Sequence, residues 1–260
     1  MKQSDALIIA HRGESFDAPE NTLASINLAW EQNAKAVEID IHLTSDQEII
    51  VIHDDNTFRV SGKKLKVKKS TLSELKQLDV GSHKASKWNS ERIPALKQVL
   101  QTVPANGKLI IEIKSDARLL GKLKTELGQS KLNSSQIELI AFNFRTLAQA
   151  KQMMPEYKML WLLDLDYFWP SWMLWISKLK IIRKIKKQNL DGVDVWAGKL
   201  LNRSFISTFK NAGLYVYTWT VDNPENAKSL IGDGIDGITT NRAAWITSQI
   251  HKNLITKNIK

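Results

Sequence analysis

Histidines and acidic residues recur in this chain at the ends of short apolar runs or within them. His11 ends the first run, His53 ends the third, and Glu112 lies in the fourth. Glu38 and Asp40 lie two positions apart in the second run, so strand alternation places both on one face. Charged side chains in apolar segments are costly to bury unless they pair or bind a metal. The carboxylates therefore predict a cation site, and the imidazoles predict acid–base catalysis.

The chemistry of the predicted cation follows from the ligands that the chain offers. The sequence has no cysteine, which excludes disulfide bonds, thiolate zinc sites and a cysteine nucleophile. Carboxylate ligands favour one hard divalent cation, Mg²⁺ or Ca²⁺, over zinc. Arg12 and Lys114 adjoin the same runs and suit a phosphate group. Together these residues indicate metal-assisted displacement at a phosphate ester.

Such a site requires a scaffold that brings the ends of separate runs together. Strand-like runs alternate with helical segments along nearly the whole chain, which predicts parallel βαβ units. About eight such units in about 250 residues match an α/β protein with a closed (β/α)8 TIM barrel, whose strands all end at one mouth. An open doubly wound sheet fits less well, because Ala10–Glu14 is not a glycine-rich phosphate turn. The predicted strands are Leu7–Ala10, Val37–Leu43, Ile49–His53, Leu109–Ile113, Glu138–Phe142, Met159–Leu163, Gly192–Trp196, Tyr215–Val221 and Asp236–Thr239.

A lysine-rich stretch, about residues 55–92, interrupts the alternation after the third predicted strand. It is too long for a plain loop between a strand and a helix. We interpret it as an insertion over the strand ends. The whole chain, residues 1–260, is predicted to form a single catalytic barrel.

Seven short motifs occur in this chain in an order that resembles a known protein family. The motifs are His11-Arg12-Gly13, Pro19-Glu20-Asn21-Thr22, Glu38-Ile39-Asp40, His53-Asp54, Glu112-Ile113-Lys114, Tyr217-Thr218-Trp219-Thr220-Val221-Asp222 and Asp236-Gly237-Ile238-Thr239-Thr240-Asn241. In this order they resemble the glycerophosphodiester phosphodiesterase family, from about Ile8 to Asn241. The resemblance implies a (β/α)8 barrel that hydrolyses glycerophosphodiesters to an alcohol and glycerol 3-phosphate.

The resemblance also implies roles for individual residues. The metal ligands would be Glu38, Asp40 and Glu112, with Glu20 as a nearby or supporting ligand. The acid–base pair would be His11 and His53, and the phosphate would be neutralised by Arg12 and Lys114. Trp219 would be either a substrate wall or core filling. The last motif differs from the family pattern. The family often ends its last strand with Thr-Asp, whereas this chain has Thr240-Asn241.

The expected mechanism is in-line attack at phosphorus, with the histidines on opposite sides of the phosphorus atom. Which histidine is the acid and which the base stays open at this point. The nucleophile is either water or the neighbouring glycerol hydroxyl. Glu20 also has an alternative role as a first-turn carboxylate of the helix that begins near Asn21.

The segment Trp161–Lys187 is unusually aromatic and basic. It holds Trp161, Trp169, Trp172 and Trp175, followed by Lys178, Lys180, Arg183, Lys184, Lys186 and Lys187. Rings and cations together suit a helix that contacts an anionic membrane peripherally. The alternative is an ordinary barrel helix that buries Trp172, Trp175, Ile176, Leu179 and Ile182.

The net charge of the chain indicates which partners it suits. Lysine and arginine number 37 against 27 acidic residues, a net charge of +10, which suits anionic partners. Nucleic acid is not expected, because no recognised binding motif accompanies the charge. The start of the chain does not resemble a secretory signal, so we expect a cytoplasmic protein, with membrane contact as a further option.

Three functions stay open: hydrolysis of small soluble glycerophosphodiesters, a lysophospholipase D acting on membrane lysophospholipids, and a non-catalytic phospholipid-binding barrel.

Overall fold

The computed structural model describes residues 6–165 and 174–257. Its strands, in chain order, are β1 (Leu7–His11), β2 (Ala36–Leu43), β3 (Ile49–Val51), β4 (Lys108–Ile113), β5 (Ile137–Ala141), β6 (Lys158–Leu163), β7 (Gly192–Trp196), β8 (Tyr215–Trp219) and β9 (Gly237–Thr240). All except β3 pair in parallel, and β1 pairs with both β2 and β9. The sheet therefore closes on itself, which confirms the predicted (β/α)8 barrel.

Helices follow the barrel strands and cover the outside of the sheet. They are α1 (Leu23–Glu31), α2 (Phe58–Ser61), α3 (Leu72–Lys76), α4 (Leu96–Leu100), α5 (Leu120–Gln129), α6 (Phe144–Met153), α7 (Leu174–Lys187), α8 (Arg203–Asn211), α9 (Pro224–Gly232) and α10 (Ala243–Lys257). Short 3-10 turns lie at Val67–Lys69, Ser86–Trp88, Ala117–Leu119 and Ser134–Gln136. Among the helices of the described residues, none is both long enough and apolar enough to cross a bilayer.

The third predicted strand is not part of the barrel. β3 runs antiparallel to β2, with Ile41 opposite Val51 and Leu43 opposite Ile49. Only residues 44–48 connect the two strands, whereas a parallel crossover needs about a dozen residues or more. The prediction of another barrel strand was therefore wrong, and its predicted end at His53 lies two residues beyond the observed strand. The displacement lets β2 pair directly with β4.

Strand alternation divides the side chains of β2 between two environments. Val37, Ile39 and Ile41 belong to the large apolar core between the sheet and the helices. Glu38 and Asp40 point the other way, into the barrel interior. Because burial of the apolar face is a major stabilising term, a slip of one residue in register would be strongly disfavoured. The same force that folds the barrel thus fixes the two carboxylates inside it.

Residues 55–92 form a substructure with its own small apolar core. The core contains Ile50, Ile52, Val60, Val67, Leu75, Leu78, Val80 and Ile93. β3 contributes to this core as well as to the main one, since Ile50 faces the insertion while Ile49 and Val51 face the main core. The insertion therefore packs against the β2–β3 hairpin, which carries Glu38 and Asp40.

The aromatic and basic segment is described only in part. Trp169 and Trp172, and the side chains of Trp175 and Ile176, lie outside the described residues. Farther along α7, Ile181 and Ile185 are buried, while Leu179 is 45% exposed. Leu179 therefore does not belong to the buried stripe that the barrel-helix alternative predicted, because that stripe is rotated towards Ile181 and Ile185.

Candidate active site

An open cavity of about 430 Å³ lies at the carboxyl ends of the barrel strands. Two clefts elsewhere on the described surface are larger, about 690 and 720 Å³, but neither contains the histidines or the carboxylates singled out above. The residues that line the cavity are His11, Arg12, Glu38, His53, Glu112, Lys114, Ile140, Phe142, Leu162, Asp194, Trp196, Trp219, Thr220 and Thr239. The candidate catalytic residues therefore lie around the smaller opening at the strand ends, where the sequence analysis expects them.

Glu38, Asp40 and Glu112 converge at one side of this cavity. One carboxylate oxygen from each lies within 4.8 Å of the other two. Pairing between β2 and β4 sets Asp40 directly opposite Glu112, and Glu38 lies two residues earlier on the same face. All three are buried. In the described part of the chain, no other group of histidine or acidic residues comes together in this way.

The pKa values of the three carboxyl groups show that their negative charges repel one another when no cation is present. Burial, followed by repulsion from Asp40, raises the pKa of Glu38 well above its ordinary value. The same causes raise the pKa of Glu112 to about 7. Although burial alone would raise the pKa of Asp40, the charges of Arg12 and Lys114 lower it to about 2.

The same cluster is well suited to a divalent cation. Asp40 Oδ1 is buried and makes no hydrogen bond to any described residue. The donors are all carboxylate oxygens, which hard cations prefer. A cation with two positive charges would also relieve the repulsion that raises the pKa values of Glu38 and Glu112. The residues present therefore fit Mg²⁺ or Ca²⁺.

Two cationic side chains adjoin the cluster. Lys114 Nζ lies 3.0 Å from Glu112 Oε1 and 3.7 Å from Asp40 Oδ1. Arg12 Nε lies 3.1 Å from Asp40 Oδ2. Both Arg12 and Lys114 also line the cavity, so their positive charge is available to an anionic group that enters it.

Glu20 occupies a different place from the three clustered carboxylates. It accepts hydrogen bonds from Arg12 Nη1 at 3.0 Å and from both terminal nitrogens of Arg59 at 2.8 Å. Its role as a supporting metal ligand stays a prediction. The alternative, a carboxylate in the first turn of a helix, was wrong, because α1 begins at Leu23 with Thr22 as its N-cap.

His11 is fixed by a chain of hydrogen bonds. The Asn241 backbone and side-chain N–H groups donate to Asp222 at 2.8 and 2.7 Å, so the Asn241 amide oxygen faces His11. That oxygen lies 2.7 Å from His11 Nδ1, which must therefore carry the proton. Nε2 is left as the basic nitrogen, 4.0 Å from Glu38 Oε2. Burial and then the charge of Arg12 lower the pKa of His11 to about 4, so its ring is neutral near pH 7.

His53 is held differently, by groups from the hairpin and the insertion. Its Nδ1 lies 2.7 Å from Asp54 Oδ1, and Asp54 Oδ2 accepts a 2.8 Å hydrogen bond from Arg59 Nε. The His53 carbonyl accepts a 3.0 Å bond from His42 Nε2. Arg59 belongs to α2, so this side chain connects the insertion to the site. Sequence reasoning did not identify Arg59.

The turn after β1 depends on backbone conformations that few residues adopt. Arg12 and Gly13 have φ values of 56° and 81°. A Cβ at Gly13 would lie 2.5 Å from the backbone carbon of Ser25, so only glycine fits this position. The turn aims the Arg12 backbone N–H at Glu38 Oε2, 3.0 Å away. Gly13 thus serves the backbone geometry of this turn.

Aromatic rings form one rim of the cavity. Trp219 contacts Phe142 and Trp196 edge to face, with ring centroids 5.5 and 5.1 Å apart. Phe142 is 44% exposed and Trp196 39% exposed. Trp219 therefore lines the cavity, although its substrate-binding role stays a prediction. We call Phe142, Trp196 and Trp219 the aromatic rim.

Asp194 is a further acidic residue of the cavity that sequence reasoning missed. It is 2% exposed, and burial raises its pKa well above the ordinary value. The signal was present, because Asp194 interrupts the apolar run Val193–Val195 just as Glu112 interrupts its own run.

Known proteins are similar to this chain over nearly its whole length. The model of the glycerophosphoryl diester phosphodiesterase family matches residues 11–244. The chain belongs to this family. As the sequence indicated, it is a phosphodiesterase, an enzyme of the phosphoric diester hydrolase class.

Individual members of the family match along most of their length. YhdW of Bacillus subtilis, named provisionally as a glycerophosphodiester phosphodiesterase, is 34% identical over 251 residues, covering 95% of this chain and 99% of that one. The glycerophosphodiester phosphodiesterase of Caldanaerobacter subterraneus is 30% identical over 250 residues, covering 95% and 98%. A phosphodiesterase from Oleispira antarctica, solved with sn-glycerol-3-phosphate as product, superposes with a TM-score of 0.84 at 28% identity, covering 94% and 96%.

Proposed function

We propose that this family member hydrolyses glycerophosphodiesters to an alcohol and glycerol 3-phosphate with one divalent cation, Mg²⁺ or Ca²⁺. The observation that carries the proposal is the meeting of Glu38, Asp40 and Glu112 within 4.8 Å beside a cavity lined by two histidines. The product bound to the Oleispira relative is in keeping with this reaction. When bound, the cation supplies stabilisation of the negative charge that develops on the phosphate oxygens.

Arg12 and Lys114 are proposed to hold the phosphodiester beside the carboxylates. Without a cation their charges face Asp40 and Glu112 at 3.0 to 3.7 Å. A cation on the carboxylates would release part of that attraction for the phosphate. Arg12 can still be oriented by Glu20, which holds its Nη1 at 3.0 Å. The phosphate is thereby fixed between two protein cations and the carboxylate cluster.

The hydrogen bonds suggest how the two histidines divide the proton transfers. His11 presents a neutral ring with an unprotonated Nε2 towards the cavity, which suits a general base. It would take the proton of the attacking hydroxyl, which belongs either to water or to the neighbouring carbon of the glycerol arm. In the second case the first product is a cyclic glycerol phosphate, which water must then open to give glycerol 3-phosphate. His53 has a carboxylate partner in Asp54 at 2.7 Å, so an imidazolium there is paired. We therefore propose His53 as the general acid that protonates the leaving alkoxide.

A substrate panel with and without chelator tests this function. We expect release of glycerol 3-phosphate from glycerophosphocholine or glycerophosphoethanolamine, stopped by chelator and restored by Mg²⁺ or Ca²⁺. Hydrolysis that proceeds equally in chelator would refute the metal dependence. Failure to cleave any glycerophosphodiester, with added cation present, would refute the proposal as a whole.

A lysophospholipase D activity is the second candidate, and one observation favours it. The aromatic rim leaves two large rings exposed at the mouth, where an acyl chain could lie after the phosphate is bound. Peripheral contact of Trp161–Lys187 with an anionic membrane would serve such a substrate. However, Trp161 itself faces the barrel helices, since its Nε1 donates to the Phe142 carbonyl and its ring packs on Phe144. Comparing turnover of lysophosphatidylcholine with turnover of glycerophosphocholine separates the two candidates.

The non-catalytic alternative disagrees with the membership of this chain in an enzyme family. A protein that only binds phospholipid would have no need for a base, an acid and a cation site in one cavity. Both histidines and all three clustered carboxylates are retained here. Membership of a hydrolase family points the same way.

A further inference from the structure

Three buried polar atoms of cavity-lining residues make no hydrogen bond within the described residues: Arg12 Nε, Asp194 Oδ1 and Trp219 Nε1. Arg12 Nε faces the Asp40 carboxylate at 3.1 Å, which leaves Asp194 Oδ1 and Trp219 Nε1 without a polar partner among those residues. An unpaired buried polar group destabilises the folded state, and such a group in a native structure calls for an explanation, for which a functional role is one candidate. Both residues line the same cavity, so a ligand that enters it can satisfy both atoms.

Strand pairing makes the two residues diagonal neighbours on the same face, because Trp219 pairs with Trp196, two residues beyond Asp194. Asp194 on β7 is opposite Tyr217 on β8, and Trp219 lies two residues farther along the same strand. Because side chains alternate, Asp194, Tyr217 and Trp219 all face the barrel interior. Trp196, two residues nearer the mouth than Asp194, is 39% exposed, whereas Asp194 is 2% exposed. Asp194 therefore lies one layer below the rim.

The surroundings of Asp194 exclude several roles. Ile140 and Leu162 also line the cavity, and Leu162 is the direct β6 partner of Asp194. No lysine or arginine pairs with it within the described residues. Asp194 is also not a member of the carboxylate group that fits a cation. A carboxyl that is neither paired nor in the metal cluster is left free to bind a neutral polar group.

We propose that Asp194 and Trp219 form the subsite for the terminal hydroxyl of the glycerol arm. This inference rests on the proposed function, since it requires the phosphate to lie between Arg12 and Lys114. The glycerol arm then extends inwards, and the alcohol arm leaves past the aromatic rim. A hydroxyl both donates and accepts: it donates to Asp194 Oδ1 and accepts from Trp219 Nε1. Asp194 is thus a specificity-determining residue for glycerol over arms that lack this hydroxyl.

Product binding tests the subsite without depending on turnover. The probes are sn-glycerol 3-phosphate and the phosphate of 1,2-propanediol, which lacks only the terminal hydroxyl, each titrated calorimetrically with Mg²⁺ present. The wild type should bind glycerol 3-phosphate about tenfold more tightly, as expected for one well-made hydrogen-bond set. Asp194→Leu should reduce this preference below about twofold, and Trp219→Phe should reduce it in part.

Stability provides the second readout. Asp194→Leu should raise the melting temperature of the ligand-free protein, because a buried unpaired carboxyl is replaced by an apolar group. The matched control is Glu138→Gln, a buried acid of the same barrel that is paired with Lys108 and Lys158. The control should lower the melting temperature and leave the binding preference unchanged.

The outcomes separate this inference from the proposed function. An unchanged preference in Asp194→Leu, or in Asp194→Ala if the leucine variant does not fold, would overturn the inference. A wild type that shows no preference between the two probes would overturn it as well. A preference that depends on Asp194 in a protein that cleaves no glycerophosphodiester would uphold the subsite and refute the proposed reaction.

Discussion

His11 Nδ1 donates a 2.7 Å hydrogen bond to the side-chain oxygen of Asn241, a residue 230 positions later in the chain. Asp222 holds the Asn241 amide in the orientation that makes this bond. The partner of His11 is thus a neutral amide, which fixes the tautomer but offers no charge to an imidazolium. Together with burial, this arrangement keeps His11 neutral and ready to accept a proton.

Exchanging the two partner residues should change the protonation of His11. In the double variant Asp222→Asn with Asn241→Asp, the same hydrogen bonds can form, but a carboxylate faces His11. An adjacent opposite charge favours the charged ring, so the pKa of His11 should rise by about one unit or more. The acid limb of kcat/KM should therefore move to higher pH, because the base stays protonated up to a higher pH. A limb that stays in place or moves to lower pH contradicts the assignment of His11 as the base.

Cation binding should depend on pH in a definite direction. Without metal, folded Glu112 keeps its proton up to a pKa of about 7, whereas in the unfolded chain its pKa is about 4.5. The folded state binds more protons between these values, so its stability falls as the pH rises through them. A divalent cation displaces the proton and restores stability. The rise in melting temperature caused by Mg²⁺ or Ca²⁺ should be larger at about pH 8 than at about pH 5.5.

The control for this prediction is Glu38→Gln. This variant removes one ligand charge, so its melting temperature should respond weakly to the cation at either pH. An equal stabilisation of wild type and variant would show that the cation binds elsewhere.

Arg59 should act as a positioning residue for His53. It bonds both Glu20 and Asp54, and Asp54 orients the His53 ring. Arg59→Leu should lower kcat about tenfold with KM within about threefold, because the substrate still finds its phosphate contacts. In a His53→Ala background the same substitution should cost little more, since the two act as a unit. The matched control is Arg118→Leu, whose only ion pair among the described residues is the exposed contact with Asp116.

An additive loss in the double variant would contradict the positioning role. It would show that Arg59 acts on the phosphate or on the fold rather than through His53. Partial rescue by Arg59→Lys is expected, because lysine keeps the charge but not the paired geometry of the two bonds.

The aromatic rim should govern the choice between soluble and acylated substrates. If an acyl chain lies against Trp196, then Trp196→Ala should lower kcat/KM for lysophosphatidylcholine about tenfold more than for glycerophosphocholine. The control is Trp245→Ala, which removes a tryptophan of similar exposure on α10. Equal effects of Trp196→Ala on both substrates would argue against the lysophospholipase D candidate.

The barrel and the core of the site could be predicted because both follow from local patterns. The alternation of apolar residues in β2 determines that Glu38 and Asp40 point into the barrel interior. The end of β1 determines that His11 lies at the mouth of the barrel. The hairpin to β3 could also have been recognised, since residues 44–48 are too few for a crossover. A β-rich run by itself does not distinguish a barrel strand from a strand of a hairpin.

The remaining features depend on contacts between distant parts of the chain. Asn241 meets His11, and Arg59 meets Glu20, only after the barrel closes and the insertion folds over it. No periodicity marks such contacts. Asp194 differs, because its position between Val193 and Val195 in an apolar run marks it as a candidate from the sequence alone.

The most direct test of the account measures glycerol 3-phosphate released from glycerophosphocholine after chelation and readdition of Mg²⁺ or Ca²⁺. The wild type should lose its activity in chelator and regain it with the cation. Glu38→Gln and Glu112→Gln should remain inactive at cation levels that restore the wild type, and His11→Ala and His53→Ala should each lose at least about a hundredfold. Activity of either carboxylate variant within about threefold of the wild type would contradict the central claim that these carboxylates hold the catalytic cation.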